Sequence, residues 1–598
     1  MAEAGQQFVE RVNMVYRSSG PSGDLDVELP FRILVIGDFS LDEKSEYFEN
    51  QKPVVVTNET IEAVLEGFDI RLVLSVADRI SGNAEETFKI EIPIRSLEDF
   101  SPARIADHVD ILGRLKDFRE ALSRFEGGFK DDELSALLES LGSEKQIREL
   151  LKSLDVIYES DRLIKTLQPD TLNFLISDID ERLSKQMDEI LHHSKMRALE
   201  SAWKSLNFLV QRIDFRENII IEILNVSKQA LIDDFEDVPE AILSNLYQTV
   251  YASEFGQFGG RPYSCMLGNY IFGPSSPDVS LLQKISSVAS MSHAPFITAA
   301  GSEFFDIDNF SQLTRVRNLA ANFQQPKFIK WMSFRESEDA RYLALTLPGF
   351  ILRQAYDDSN KANVWFPYKE SFAKTEQKGL WGNSCFAFAT RLVDSFAKYR
   401  WCLNITGKPD GQVAGLHLGD HSSQSAKVGK IPTQVLIPDR RDAELAAHGF
   451  IPLSVHKGDD CAAFYTANSS LLAKKFADSA EGKIQALNHQ LGGQISYLFM
   501  VSRVSHYIKM MQREHIGSWK TKQEINKEIN NWLKQYVSDM DSPAPGVRGR
   551  RPLRNAIFSV EEVAGKAGWF LIHLKITPHI KYMGATFTLS ETGKLDKN

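Results

Sequence analysis

The spacing in this chain that looks most like a metal site is His417-x-Gly419-Asp420-His421, two imidazoles and a carboxylate of types that suit zinc or iron. No periodic element flanks the stretch to hold those ligands, so a solvated loop is expected. His192 and His193 are neighbours in a helical pattern and point to different faces, which keeps them from gripping one ion. Glu336, Glu338 and Asp339 could share acid and base roles, but Arg335 and Arg341 flank them and favour ion pairs. Nucleotide binding would need G-x-x-x-x-G-K-[ST], or G-x-G-x-x-G after a strand. Gly429-Lys430 is followed by Ile431, and Gly256, Gly259 and Gly260 read as a tight turn before Pro262. No G-x-S-x-G elbow is present for nucleophilic hydrolysis. Arg548, Arg550, Arg551 and Arg554 make the densest basic cluster, expected to be a loop paired with local acids. The residue types therefore imply no catalytic, cofactor or metal site, and a protein that is not an enzyme.

The elements that would position any site come next. Val12, Met14 and Tyr16 are apolar at two-residue steps and read as a short strand. Ser18, Ser19, Gly20, Pro21, Ser22 and Gly23 follow as a linker by composition, so this strand is expected to be tethered and to seek a partner edge elsewhere. Phe31 to Ile36 is a buried strand by its unbroken apolar run; Ile70 to Val76 and Phe88 to Ile94 alternate as half-buried strands. Ser101-Pro102 is an N-cap with proline at the first helical position, opening a helix to about Phe125. Residues 131–215 are helical in pattern, with Met187, Ile190, Leu191, Leu199, Trp203, Leu206, Val210 and Ile213 forming one apolar stripe. A strand over 219–226, Ser227 as an N-cap, and alternating helical and strand-like runs to about 347 suggest a large α/β region with a mixed sheet. Helices are expected near 480–514 and 521–538, and strands over 556–563, 569–576 and 582–589.

The chain has 598 residues, 43% hydrophobic and 25% charged, with a net charge of −11, which fits a soluble multidomain protein. That acidic balance gives no general attraction to nucleic acid. Four cysteines, Cys265, Cys385, Cys402 and Cys461, lie far apart without a CxxC pair and fit reduced thiols in the cytoplasm. No apolar run reaches the ~18–20 residues that cross a bilayer, so no direct membrane insertion is expected.

Long ordered segments carry a family resemblance. RVNMVYRS, LPFRILVIGDFS and IPIRSLEDFSPARI resemble the small subunit of the type VI secretion contractile sheath (TssB/VipA). QMDEILHHSKMRALESAWKSLNFLV, EFGQFGGRPYSCMLGNYIF, WMSFRESEDARYLALTLPGFILR, LWGNSCFAFATRLVDSFAKYRWC and PDRRDAELAAHGFIPL resemble the large subunit (TssC/VipB). The resemblance implies an α+β and α/β multidomain chain with a phage-tail-sheath-like core, a small α+β N-terminal domain and interlacing terminal strands. It implies a fusion: a small-subunit region over 1–150, a helical connector over 151–185, and large-subunit parts over 186–415 and 416–598. It also implies a homo-oligomeric helical sheath around an Hcp-like inner tube, attached to baseplate components, that contracts to drive the tube; a non-contractile scaffold or shell is the alternative. Candidate residues for strand exchange between protomers are Val12, Met14, Tyr16, Leu571, His573, Lys575, Tyr582, Phe587 and Leu589, with Ser18 to Gly23 as the hinge linker. The family is disassembled by the ATPase ClpV, but the join skips the segment where the large subunit carries its ClpV-recognition helix, so recycling by ClpV stays open.

Overall fold

The computed structural model describes residues 14–20, 23–42, 45, 47–80, 86–123, 169–257, 259–357, 360, 364–372, 379–419, 422–423, 426–427, 430–455, 461–474, 476–514, 522–540, 551–562, 570–579 and 589–595. Its strands in chain order begin with β1 (Tyr16–Gly20), β2 (Gly23–Val27), β3 (Phe31–Gly37), β4 (Val54–Val56), β5 (Ile70–Ala77) and β6 (Thr87–Ile94). Next come β7 (Ile219–Asn225), β8 (Cys265–Phe272), β9 (Phe296–Ala300), β10 (Leu343–Leu347), β11 (Phe350–Arg353), β12 (Leu380–Gly382) and β13 (Gln412–Val413). The series ends with β14 (Ser422–Ser423), β15 (Ala426–Lys427), β16 (Phe450–Val455), β17 (Ala462–Phe464), β18 (Leu553–Glu562), β19 (Phe570–Pro578) and β20 (Leu589–Leu595).

Nine strands form one mixed sheet in the order β13-β17-β16-β10-β9-β8-β3-β7-β4. All seven residues of β3 are buried, as expected of a strand covered on both faces. β3 pairs in parallel with β7 (Phe31 opposite Ile219) on one side and with β8 (Ile33 opposite Cys265) on the other. β4 then closes that flank antiparallel to β7. Two strands of the N-terminal region, β3 and β4, are therefore ladder members of the large sheet. β13 pairs with β17, and β17 with β16, so strands on both sides of position 415/416 belong to the same sheet.

What remains of the small α+β unit is the β5–β6 pair with its helices. Ile70, Leu72, Leu74 and Val76 point inward while Arg71, Val73 and Ser75 are exposed, the period-two pattern of a strand with one solvated face. The expected helix from Ser101 is two helices, α1 (Pro102–His108) and α2 (Asp110–Ser123), separated at Val109, whose backbone is extended. Its cap is as expected, with Ser101 Oγ accepting from Arg104 N. This unit is tied to α3 (Pro169–Leu191) by Arg79–Glu189 at 2.6 Å and Arg119–Asp180 at 2.5 Å. The apolar stripe spans α3 and α4 (Ser194–Val210), with Ile213 just beyond α4, and its eight residues are buried. Expected helices over 124–168, including the connector before 169, lie outside the described residues.

A second, smaller core gathers Met14, Tyr16 and Leu29 against α5 (Ile495–Glu514), α6 (Lys522–Lys534) and the antiparallel sheet β18-β19-β20.

A buried ion cluster locks β3 in place. Arg32 donates through Nη2 to both Glu222 oxygens of β7 at 2.9 Å and through Nη1 to Glu254 at 2.7 Å, and its guanidinium lies 4.1 Å from the Tyr263 ring centroid. Tyr263 donates its phenol proton to Glu222. Burial alone would lower the Arg32 pKa, yet the hydrogen bond and charges of Glu254 and Glu222 hold it raised. Removing one partner of such a cluster strands buried charge, which costs about 3–5 kcal/mol. Arg32→Ala is therefore expected to lower unfolding free energy by about that much in urea titrations; a loss below about 1 kcal/mol, the range of exposed pairs, would contradict this role for the cluster.

Candidate functional site

The two chain ends meet at α5 and α6. Residues 14 and 15 form no ladder there; side chains capture their backbone instead. Tyr507 OH donates to Met14 O (2.7 Å) and accepts from Leu29 N (3.0 Å), Trp532 Nε1 donates to Val15 O (2.8 Å), and Arg503 donates to Leu29 O (3.0 Å). Met14 and Tyr16 are buried by this contact, with Tyr16 edge-on to Tyr507 at 6.2 Å. Val12 lies outside the described residues.

The expected hinge linker takes a different form. Ser18, Ser19 and Gly20 belong to β1 and pair with Leu25, Asp24 and Gly23 of β2. Gly20 and Gly23 face each other across a two-residue connection, the shortest hairpin spacing. Pro, Gly and Ser mark hairpin turns as well as linkers, and composition does not separate the two. Pro21 and Ser22 lie outside the described residues.

At the other terminus, Leu571, His573 and Lys575 lie on β19, the middle strand of its sheet. They pair with Glu561, Ser559 and Ile557 of β18 and with Lys594, Thr592 and Ser590 of β20. Both edges of β19 are therefore used within the chain. Leu589 opens β20 opposite Ile576; Tyr582, Phe587 and the rest of the expected strand before 589 lie outside the described residues. The outer edge of β18 is partly closed. Asn530 of α6 accepts from Phe558 N (3.0 Å) and donates to Phe558 O (2.8 Å), while Leu553 bonds to Tyr536 O and Ser538 N. Among the described residues no strand pairs with the outer edge of β20.

α5 is fastened to the large sheet's body by side chains that reach main-chain carbonyls. Lys509 donates to Met291 O (2.9 Å), His506 Nε2 meets Ser292 O (3.0 Å), and Arg513 donates to Gln257 O (2.8 Å). The turn that carries Gln257 needs its glycine, since a Cβ on Gly260 would overlap the Glu254 carbonyl oxygen. His506 is fully enclosed. Burial, with His293, Lys509 and Arg503 nearby, pushes its pKa down to about 3.

The other candidates resolve into structure. Glu338 pairs with Lys474 (2.6 Å) and Arg341 (2.9 Å), which hold it below the usual carboxylate range against the opposing effect of burial. His192 meets Glu370 at 3.2 Å; burial would raise Glu370, but His192 and Arg353 bring it down to about 2. His417 is exposed, and partial desolvation lowers its pKa; Asp420 and His421 lie outside the described residues, as do Arg548 and Arg550. Among the described residues no group of three or more His, Cys, Asp or Glu could hold a metal ion, and no helix is long and apolar enough to cross a membrane. Sequence reasoning missed Tyr507, Trp532, Tyr536 and Asn530. The 532/536 aromatic pair at one-turn spacing was the available signal.

Comparison with known proteins matches the chain in three segments. Residues 6–155 match the type VI secretion VipA family model (VipA, VC_A0107 or Hcp2). Residues 173–471 match the EvpB/VC_A0108 tail sheath N-terminal domain, and 484–595 its gpW/gp25-like domain. The type VI secretion system sheath protein TssC1 of Pseudomonas aeruginosa is 34% identical over 443 residues, covering 73% of this chain and 88% of that protein. Among solved structures, the anti-feeding prophage baseplate shows 10% identity and a TM-score of 0.31, covering 66% of this chain and 77% of that one. The sheath tail protein Lin1278 of Listeria innocua shows 10% identity and a TM-score of 0.25, covering 58% and 59%. The chain belongs to the type VI secretion sheath family. Within that family it joins the TssB/VipA-like and TssC/VipB-like sheath modules in one polypeptide.

Two outcomes follow for this junction. Tyr507→Phe leaves Leu29 N and Met14 O without their partner, at a cost of about 1–3 kcal/mol. Trypsin should then cut at exposed Arg17 about tenfold faster or more; an unchanged rate would show that the phenol does not hold the arm. The second outcome concerns pH. An unfolded histidine takes up a proton near pH ~6.5 while native His506 refuses one until about 3, so its contribution is intact above ~6.5 and is lost as pH falls toward 3. The stability difference between wild type and His506→Gln should therefore shift against the wild type by up to about 1.4 kcal/mol per pH unit in that window; a difference independent of pH would contradict a buried neutral imidazole.

Proposed function

We propose that this chain is a structural sheath protomer that polymerises into a helical tube around an Hcp-like inner tube, anchors on a baseplate, and contracts to propel the inner tube. It is a mechanical protein rather than an enzyme. The observation that carries the reading is the placement of both sheath modules in one chain, with the small module's strand β3 inserted between β7 and β8 of the large one. Such a protomer moves as one body, and its neighbours need a connection that survives rotation.

Terminal strands suit that connection, because main-chain ladder bonds tolerate rigid-body rotation of the domains they join. In the proposed lattice the outer edge of β20, starting at Leu589, accepts a strand from a neighbouring protomer. Met14 and Tyr16 leave their own Tyr507 and Trp532 and, with Val12, supply such a strand. The β1–β2 hairpin from Ser18 to Gly23 is the hinge, since a lone two-stranded hairpin is only marginally stable and opens at low cost. Leu571, His573 and Lys575 act indirectly, as the middle strand against which β20 is aligned.

Negative-stain electron microscopy of the purified full chain, with and without Hcp-like rings, tests the proposal. Hollow helical tubes of two diameters, extended and contracted, are expected; removal of residues 1–20 should leave folded protomers that no longer form them. Monodisperse particles alone would refute assembly, and one diameter under every condition would favour a non-contractile scaffold. Incubation of the tubes with purified ClpV decides the recycling step: dismantled tubes include it, intact tubes remove it.

A further inference from the structure

Six strands, β7, β3, β8, β9, β10 and β16, run parallel and adjacent. A cavity of about 440 Å³ opens at their carboxyl ends, lined by Asp38 just after β3, Ile271 of β8, Ala300 of β9 and Leu347 of β10. Its walls are mainly aliphatic, and Ile271 is 64% exposed at the mouth. The lining contains no Lys, Arg or His. It does contain Glu303 and Asp308, both exposed and without a cationic partner among the described residues. The other acids of this region are already engaged. Asp278 pairs with Lys228 (2.8 Å), Asp306 with Lys327 (2.5 Å), and the Asp38 carboxylate accepts from Leu41 N (2.8 Å).

A glycine shapes the mouth. A Cβ on Gly301 would overlap Glu303 Oε2 and come within 3.1 Å of Ile271 Cγ2. The missing side chain lets a carboxylate and an exposed aliphatic group lie side by side. An apolar stem that ends in a cation fits that pairing, its methylenes on the aliphatic wall and its head on the carboxylates. Arginine suits it better than lysine, because a guanidinium is more weakly hydrated and can take a carboxylate with two hydrogen bonds.

This chain carries such side chains in one dense run, Arg548, Arg550 and Arg551, within a protein of net charge −11. Residues 541–550 lie outside the described residues, and Arg551 is exposed with no acidic partner among the described ones. Ser538 N donates to Leu553 O (2.8 Å), so both ends of the segment meet in the second core. α5 fastens that core at Leu29 before β3, Gln257 before β8, and Met291 and Ser292 before β9, all at the amino ends of the strands. The ten residues 541–550, going out and back, reach at most ~18 Å, whereas the seven residues of β3 alone span about 23 Å. Segment and cavity therefore meet between two copies, head to tail. Heterologous contacts of that kind build open helices rather than closed dimers. We propose that the segment Arg548–Arg551 of one protomer docks in the cavity at the carboxyl ends of β3, β8, β9 and β10 of the next. The proposal rests on the sheath reading above and adds a contact apart from the exchanged strands.

Fluorescence anisotropy tests it with a labelled peptide of residues 543–552 and the full chain carrying Arg548→Gln, Arg550→Gln and Arg551→Gln, whose own segment no longer competes. The peptide should bind with a Kd of about 100 μM or tighter. Adding Glu303→Gln and Asp308→Asn to that chain should weaken binding tenfold or more without moving the unfolding midpoint. A peptide with Gln in place of its arginines should not bind. No binding, equal binding of the Gln peptide, undiminished binding by the Glu303/Asp308 variant, or displacement by equimolar spermidine would overturn the docking. Absence of tubes from the wild-type chain would instead refute the sheath reading, because peptide binding is read on protomers and needs no assembly.

Discussion

A strand buried on both faces must have ladder partners on both edges, because each backbone N–H and C=O left unpaired there costs about as much as a lost hydrogen bond. β3 meets that constraint by taking β7 on one side and β8 on the other, and both partners lie about two hundred residues further along the chain. The rest of the architecture depends on this insertion. Without β3 the large sheet would split between β7 and β8, and the cavity at their carboxyl ends would lose its Asp38 wall. Arg32 adds direction to the ladder. A slip by one residue would turn its guanidinium away from Glu222 and Glu254 and leave buried carboxylates unpaired.

The same requirement is solved differently at the chain ends. Residues 14 and 15, and Phe558 at the outer edge of β18, have backbone groups satisfied by side chains of Tyr507, Trp532 and Asn530. Each such bond can be released without opening a ladder, so the termini are less committed than the sheet. A protein whose proposed work is to stay connected while its domains rotate needs this contrast between a fixed body and exchangeable ends.

Much of the body was legible in local pattern. The unbroken apolar run at Phe31–Ile36, the alternation over 70–94, the Ser101 and Ser227 caps and the α3–α4 stripe all form as expected, because each depends on neighbours within a few residues. Long-range pairing was less visible. Nothing in the periodicity of β3 says which strands flank it, although a lone Arg32 in one apolar strand and a lone Glu222 in another are complementary charges that point to contact. The pairing of strands across 415/416 was also hidden, because a Gly/Ser-rich stretch marks any surface connection, including one that returns to the same sheet. The pairing of Ser18–Gly20 with Gly23–Leu25 was not legible for a related reason, since turn residues and linker residues are the same types. The terminal site was half legible: its strands were found, but not the phenol, indole and amide that hold them.

The claim on which the account rests is that β3 is an integral strand of the large sheet, so that both sheath modules unfold as one body. Native-state hydrogen exchange measures this directly. The amides of residues 33–36 should exchange only through global unfolding, with the same free energy and denaturant dependence as those of 221–224 in β7 and 266–267 in β8. Faster exchange of β3 through a partial opening that leaves β7 and β8 protected would contradict it.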